Sequence, residues 1–392
     1  MNDQSIPDKR LKIIFIQPKY AHYRHGLFEL LDKIYNITFV FLNGDGSEYD
    51  YPTSKSADLS WETVILNSNR NRNWTLSLAK LILRTKPDAV VSSINGSTQS
   101  IVSSIIRRFY KIPFILYSLT WTDRFRVENQ PYWKVVIRKS INKWVTFSAD
   151  SIVVGGNNSR KYHQELGIDP SRIFLALQST IDHSLGLNHS DGHACNSPVI
   201  RILYFSRIVV SKGLDTLIRS FKKLTEDYDN VNLVVAGEGP FKQFCEKLVK
   251  DLQISNVFFL GSVPNEDAWR IFRDSDIFVL PCNGKGRGEA WGLVLNEAAS
   301  MSLPIITTDA VGAVGDLIIN QRNGFVVQAG DVDQLTQKMK LLIESESLRD
   351  IMGRESRKLF EEKNSYQNML AGFQDAINHA INSAKSRTKI KK

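Results

Sequence analysis

At 392 residues, with 42% hydrophobic and 23% charged side chains, the chain has the make-up of a globular protein too long for one ordinary core, and two α/β domains of similar size are expected. No apolar run approaches a bilayer span, the opening MNDQSIPDKR lacks a signal-peptide core, and Cys195, Cys245 and Cys282 are too few and too scattered for a disulfide framework or a metal site; a cytoplasmic location is expected. The net charge of +9 is uneven: residues 1–180 hold 24 Lys and Arg against 15 Asp and Glu, which accounts for the whole excess. Such a field suits nucleic acid or an anionic membrane surface, or simply keeps the protein soluble; no readable nucleic-acid module is present in the chain.

In chain order, the first element is a strand at 11–17, LKIIFIQ, rich in branched residues and stopped by Pro18, as for a buried parallel strand. A helix begins at Gly26, and strand-like runs return at 37–42, 63–66, 89–91, 114–117 and 151–154 with helical segments between most of them. This alternation predicts a doubly wound parallel sheet. Two helical segments, 104–111 and 132–144, interleave aromatic and basic residues. Trp133, Val136, Ile137, Ile141 and Trp144 fall on one face, with Lys134, Arg138, Lys139 and Lys143 beside it. The pattern fits a helix lying on an anionic bilayer and fits equally a helix packed on the sheet with its charges in water.

Residues 181–198 are polar and read as a linker; His183, His189 and His193 within it lack the rigid spacing of a metal site. Strands then recur at 201–205, 232–236, 257–260, 277–280, 304–307 and 324–327. A first domain at 1–180 is therefore followed by a second at 199–364. The remainder, 365–392, is a helix expected to cross back onto the first domain, ending in the basic run KSRTKIKK. Ligand is expected where the carboxyl ends of both sheets face a cleft.

The most informative stretch is 288–301, GEAWGLVLNEAASM. Leu293, Val294, Leu295, Ala298, Ala299 and Met301 give its helix a wide apolar face, so Glu297 is a carboxylate in a costly place that needs a partner. Gly292 is expected to leave the amides at the helix start open to an anionic ligand. Arg207 and Lys212, in the loop after strand 201–205, fall on the same sheet edge as Glu289 and Glu297, and two cations there can hold a diphosphate.

These residues, with GEG at 237–239, FLGSV at 259–263, LPIITTDAVGAVGDLI at 303–318 and NGFVV at 323–327, resemble glycosyltransferase family 4: retaining nucleotide-sugar enzymes of the GT-B fold, in which two Rossmann-like doubly wound domains face a cleft. The resemblance covers nearly all of the second domain and is weaker over the first. It implies that Arg207 and Lys212 pair with the donor diphosphate, that Glu289 contacts the transferred sugar, and that Glu297 accepts hydrogen bonds from the ribose. It further implies that the backbone of Trp291, Gly292 and Leu293 meets sugar and phosphate, and that Gly237 and the main chain near Val263 line the nucleotide site. No metal or cofactor is implied, since two cations face the leaving group; the triplets Asp227/Asp229, Asp274/Asp276 and Asp331/Asp333 read as solvated charge.

The chain also departs from the family. Many members have a Gly-Gly pair after the first strand, whereas QPKYAHYRHG here resembles a subgroup with Tyr-Arg at that place, so His22, Tyr23, Arg24 and His25 are expected to face the acceptor. Where a family histidine often follows strand 114–117, this chain has SLTWTDR, with Asp123 the nearest titratable group, and Asp316 stands where Glu is common. The implied reaction moves a sugar from a nucleotide donor to a saccharide or lipid-linked saccharide at the cytosolic membrane face. The alternatives are a nucleotide-sugar 2-epimerase of the same fold and a non-catalytic nucleotide-sugar-binding subunit.

Overall fold

The computed structural model describes residues 10–42, 61–66, 73–94, 96–122, 131–182, 184, 199–285 and 288–389. Asp123, His183, His189, His193, Cys195 and the end of the basic tail lie outside the described residues, as does the side chain of His22. The first sheet comprises β1 (Lys12–Gln17), β2 (Asn36–Phe41), β3 (Glu62–Ile65), β4 (Ala89–Ser93), β5 (Phe114–Ser118), β6 (Ser151–Val154) and β7 (Ile173–Leu175), in the order β3-β2-β1-β4-β5-β6-β7. The second comprises β8 (Ile200–Phe205), β9 (Val231–Ala236), β10 (Val257–Gly261), β11 (Ile277–Leu280), β12 (Ile305–Thr308) and β13 (Gly324–Val327), in the order β10-β9-β8-β11-β12-β13. Every pairing is parallel. The edge strand β7 is absent from the sequence reading, because three residues are too few for a periodic signal.

Helices connect the strands: α1 (His25–Ile34), α2 (Trp74–Thr85), α3 (Thr98–Tyr110), α4 (Tyr132–Ser148) and α5 (Asn157–Glu165) in the first domain. The second carries α6 (Leu214–Leu224), α7 (Lys242–Asp251), α8 (Asn265–Arg273), α9 (Leu293–Ser300), α10 (Val332–Glu344) and α11 (Glu346–Lys363). Among the described residues, no helix is long and apolar enough to cross a membrane. In each sheet the order reverses beside the first strand, so the loops after β1 and β4, and after β8 and β11, diverge and leave a crevice at the carboxyl edge.

The last helix, α12 (Tyr366–Lys389), returns to the first domain. Its Phe373, Ala376 and Ile377 are buried with Phe15, Phe28 and Tyr117 in a single core, and Ser151 Oγ donates to the Ala376 carbonyl at 2.8 Å. Near its end, Arg387 joins Arg107 on the buried carboxylate of Asp150.

The two passages of chain between the domains are stitched together. Asn296 and Asn364 both donate to the carbonyl of Gln178, at 2.8 and 2.9 Å, and Arg357 grips Asp182 with two parallel hydrogen bonds of 2.7 and 2.8 Å. Because Asn296 sits on α9 beside Glu297, this crossing is anchored next to the site.

Candidate active site

Lys212 follows β8 and Glu289 follows β11, neighbouring strands whose carboxyl ends open on the same edge. Gly213 brings the Lys212 loop close: at φ +72° it lies where a Cβ would come 1.9 Å from the Pro281 carbonyl oxygen, so only glycine permits this approach. Asn283 then ties the two loops, donating from its backbone to the Ser211 carbonyl at 3.1 Å and from its side chain to Val210 at 2.6 Å. The result is an ion pair between Lys212 Nζ and Glu289 Oε2 in which both side chains are mostly buried. Desolvation acts to raise the Glu289 carboxyl, but the charge and hydrogen bond of Lys212, with the N–H groups of Trp291 and Gly292, outweigh it and hold the group below its ordinary value.

The amides of Trp291 and Gly292, expected to meet an anionic ligand, contribute hydrogen bonds that help hold the Glu289 carboxylate ionised. Gly292, at φ +86°, makes this turn possible, and Leu293 then begins α9. The Trp291 ring is buried and its Nε1 donates to Asn296 Oδ1 at 2.7 Å.

Arg207 lies in the same loop as Lys212, half-buried, and the segment bearing Gly237 supports its backbone. A Cβ on Gly237 (φ +136°) would sit 2.0 Å from the Ser206 carbonyl, and Ile208 N donates to Glu238 O at 2.8 Å. Gly237 N donates to Gly261 O at 2.7 Å, which carries the loop containing Val263 to the same edge.

Glu297 differs from Glu289 in having no partner. Among the described residues no hydrogen bond or ion pair reaches its carboxyl, and burial pushes it up to about 7. The Asp-x-Asp triplets have structural partners: Asp276 accepts from Arg201 N at 2.7 Å, Asp331 caps α10, Asp274 meets Arg273, and Asp227 and Asp333 pair with Lys340 and Lys223.

The first domain grips this loop directly, through residues whose part the sequence did not reveal. Trp121, in the loop after β5, donates from Nε1 to the Glu289 carbonyl at 3.1 Å. Asp316 caps the first turn of α5 from the other domain, accepting from Asn157 N at 2.7 Å and Asn157 Nδ2 at 2.5 Å, while Asn158 Nδ2 reaches the carbonyls of Gly312 and Val314 at 3.1 and 2.8 Å. A buried asparagine in the apolar α9 and a tryptophan at a loop tip were the available signals for such contacts. Of the residues expected to face the acceptor, Arg24 is buried against Tyr23 and Tyr117, and His25 is held by Tyr20 at 2.8 Å and Glu29 at 3.2 Å.

Residues 187–359 match the family model "Glycosyl transferases group 1". The match falls on the second domain and spans less than half of the chain. The chain is 33% identical over 171 residues to the capsular polysaccharide biosynthesis glycosyltransferase CapM of Staphylococcus aureus, covering 42% of each protein. It is 30% identical over 139 residues to a GDP-mannose-dependent alpha-(1-6)-phosphatidylinositol monomannoside mannosyltransferase of Mycolicibacterium smegmatis, covering 34% of this chain and 36% of that one. Each match thus spans less than half of the relative. Among solved structures, a glycosyltransferase from Rickettsia africae superposes over 95% of this chain and 99% of its own (TM-score 0.73, 18% identity), and Anabaena HepE in complex with UDP over 94% and 100% (TM-score 0.75, 14% identity). The fold is GT-B, and the family match lies in its second half.

Two outcomes follow from this geometry. Trp121→Phe keeps an aromatic ring but removes the donor, and it should speed hydrogen exchange at residues 289–292 and 310–312 roughly fivefold, the equivalent of about 1 kcal/mol for a lost hydrogen bond; unchanged exchange would show that Trp121 does not hold the loop. Because Glu297 is raised from 4.5 to about 7, the folded protein retains a proton that the unfolded chain has released, and stability is lost as pH rises through that window. Glu297→Gln should match the wild type in urea denaturation at pH 4.5 and exceed it at pH 8; a difference that does not vary with pH contradicts an unpaired, desolvated carboxyl.

Proposed function

We propose that the protein transfers a sugar from a nucleotide-sugar donor to a saccharide or lipid-linked saccharide acceptor, with retention of configuration and without a metal. The observation that carries this reading is the Lys212–Glu289 pair, with Arg207 in the same loop, on the carboxyl edge of a group 1 domain. Cleaving a glycosyl phosphate leaves charge on the diphosphate and an oxocarbenium-like sugar, so fixed cations at the leaving group lower the barrier. In this reading Lys212 shifts part of its charge from Glu289 to the diphosphate. Arg207 supplies the second positive charge, and Glu289 is left beside the electron-poor sugar. The acceptor oxygen bonds to the anomeric carbon as the carbon–phosphate oxygen bond breaks, and the departing phosphate oxygen takes the acceptor proton. Glu297, unpaired, accepts hydrogen bonds from the ribose, and Gly237, Val263 and Leu293 line the donor.

The names of the relatives support the acceptor class, one being a capsular polysaccharide enzyme and another acting on a phosphatidylinositol mannoside. A place at an anionic membrane is supported by the first domain itself. Ile105, Phe109 and Tyr110 on α3, and Trp133, Val136, Ile137, Trp144 and Phe147 on α4, are exposed among Arg108, Lys111, Lys134, Arg138, Lys139 and Lys143, and neither helix has an acidic residue. Ile141, expected on that face, packs instead against the core around Phe114 and Val145, which leaves a narrower apolar stripe. Apolar rings bordered by cations match the interface of an anionic bilayer.

With UDP-, GDP- and ADP-sugars and an acceptor extract, Arg207→Ala and Lys212→Ala should each lower transfer by roughly 10² to 10³; unchanged transfer overturns the mechanism. Vesicles containing phosphatidylglycerol should sediment the protein at low salt, and Phe109→Ser with Trp133→Ser should weaken that binding about tenfold or more. Equal binding to purely zwitterionic vesicles, or none to either, rules out the membrane surface.

A further inference from the structure

Among the described residues, Arg24 is a buried guanidinium without a counter-charge. The residue is 8% exposed, Nε and Nη1 have no hydrogen-bond partner, and the neighbours that act on its charge are the phenols of Tyr23 and Tyr117, with its carbon Cζ 4.8 Å from the Tyr117 ring centroid. Buried cations are ordinarily paired with a carboxylate or other anion, because a lone charge in a poorly solvated place is costly. Among the described residues, the groups acting most on its charge are phenols and not carboxylates.

Two further unpartnered groups stand in the same row. The register that pairs Ile16 of β1 with Ser92 of β4 sets Gln17 alongside Ser93, and Ser93 is paired with Tyr117 of β5. Strand spacing puts each of these about 4.8 Å from the next. All three point to one face of the sheet, the face where Ile13, Phe15, Val91 and Ile115 meet α1 and α12. Gln17 Nε2 and Ser93 Oγ are buried and, like the two Arg24 nitrogens, bonded to nothing among the described residues. The row ends at the carboxyl edge, beneath the start of α1, whose N-cap position has no side-chain cap. Arg24, with two unfilled nitrogens, thus lies over Tyr117, the third member of the row that holds Gln17 Nε2 and Ser93 Oγ at the carboxyl edge of the first sheet.

We propose that Arg24, Gln17 and Ser93 form an anion site of the first domain that takes a phosphoryl group of the acceptor. This inference rests on the reading of the first domain as the acceptor half. The donor's diphosphate is the other possible source of the same chemistry. The acceptor is favoured because Arg207 and Lys212 already face the donor side from the second domain, while these groups belong wholly to the first. An acceptor linked through phosphate would therefore be held by its charged end.

The test uses the full chain with inorganic phosphate as probe, followed by calorimetry with and without saturating UDP. Phosphate should bind the UDP-saturated protein, and Arg24→Gln should weaken it roughly tenfold or more while UDP affinity stays within about twofold. Gln17→Met and Ser93→Ala keep the guanidinium and should each weaken phosphate about threefold or more with little change in Tm, so they decide the matter if Arg24→Gln does not fold. Phosphate that fails to bind beside UDP, or that binds all variants equally, overturns the site. An equal loss of UDP affinity in Arg24→Gln assigns the groups to the donor and overturns the acceptor proposal. Failure of the wild type to bind UDP at all would count instead against the donor reading above, so the two are separable.

Discussion

Holding an ammonium against a carboxylate where water is scarce costs both ions their hydration, and the pair persists only if the surrounding backbone fixes it. Lys212 and Glu289 meet this condition through two turns that only glycine accommodates easily. Gly213 lets the Lys212 loop approach Pro281, and Gly292 folds the next amides back onto the Glu289 carboxylate. The remaining contacts of the cleft are arranged around this pair: the Gly237 segment backs the Arg207 loop, α9 begins where Glu289 is satisfied, and the first domain reaches across to the Glu289 carbonyl.

The coupling of the two halves explains several residues that have no evident role in either half alone. Trp121, Asn157 and Asn158 of the first domain all engage one short portion of the second, comprising Glu289 and residues 312–316. Asp316 is shorter by one methylene than the glutamate common at its place, and it serves here as the cap of a helix in the other domain. Asn296 and Asn364 secure the crossing at Gln178. In the proposed reading a sugar lies between the domains, and such fixed contacts keep the cations from shifting away from the leaving group.

The two glutamates show how environment separates identical side chains. Glu289 is paired and held ionised; Glu297, eight residues later, is unpaired and pushed up to about 7. The expectation that Glu297 needs a partner stands as chemistry, and none of the described residues provides one. Arg24 presents the same condition with the opposite sign.

Much of this was legible in the primary structure. Branched apolar runs alternating with amphipathic segments determined two parallel sheets, because strands buried on both faces must be nearly continuous in apolar residues. Glycines at 213, 237 and 292 and the charged residues near them marked the second domain's site, since backbone turns and buried charges restrict which residue types can occupy a position. Only the folded chain decided which groups meet. Pairing across 77 residues between Lys212 and Glu289, capping across 159 between Asp316 and Asn157, and the row of Gln17, Ser93 and Tyr117 depend on strand order and register. Local sequence carries no record of such distant neighbours; they are set by how the sheets and the returning α12 pack.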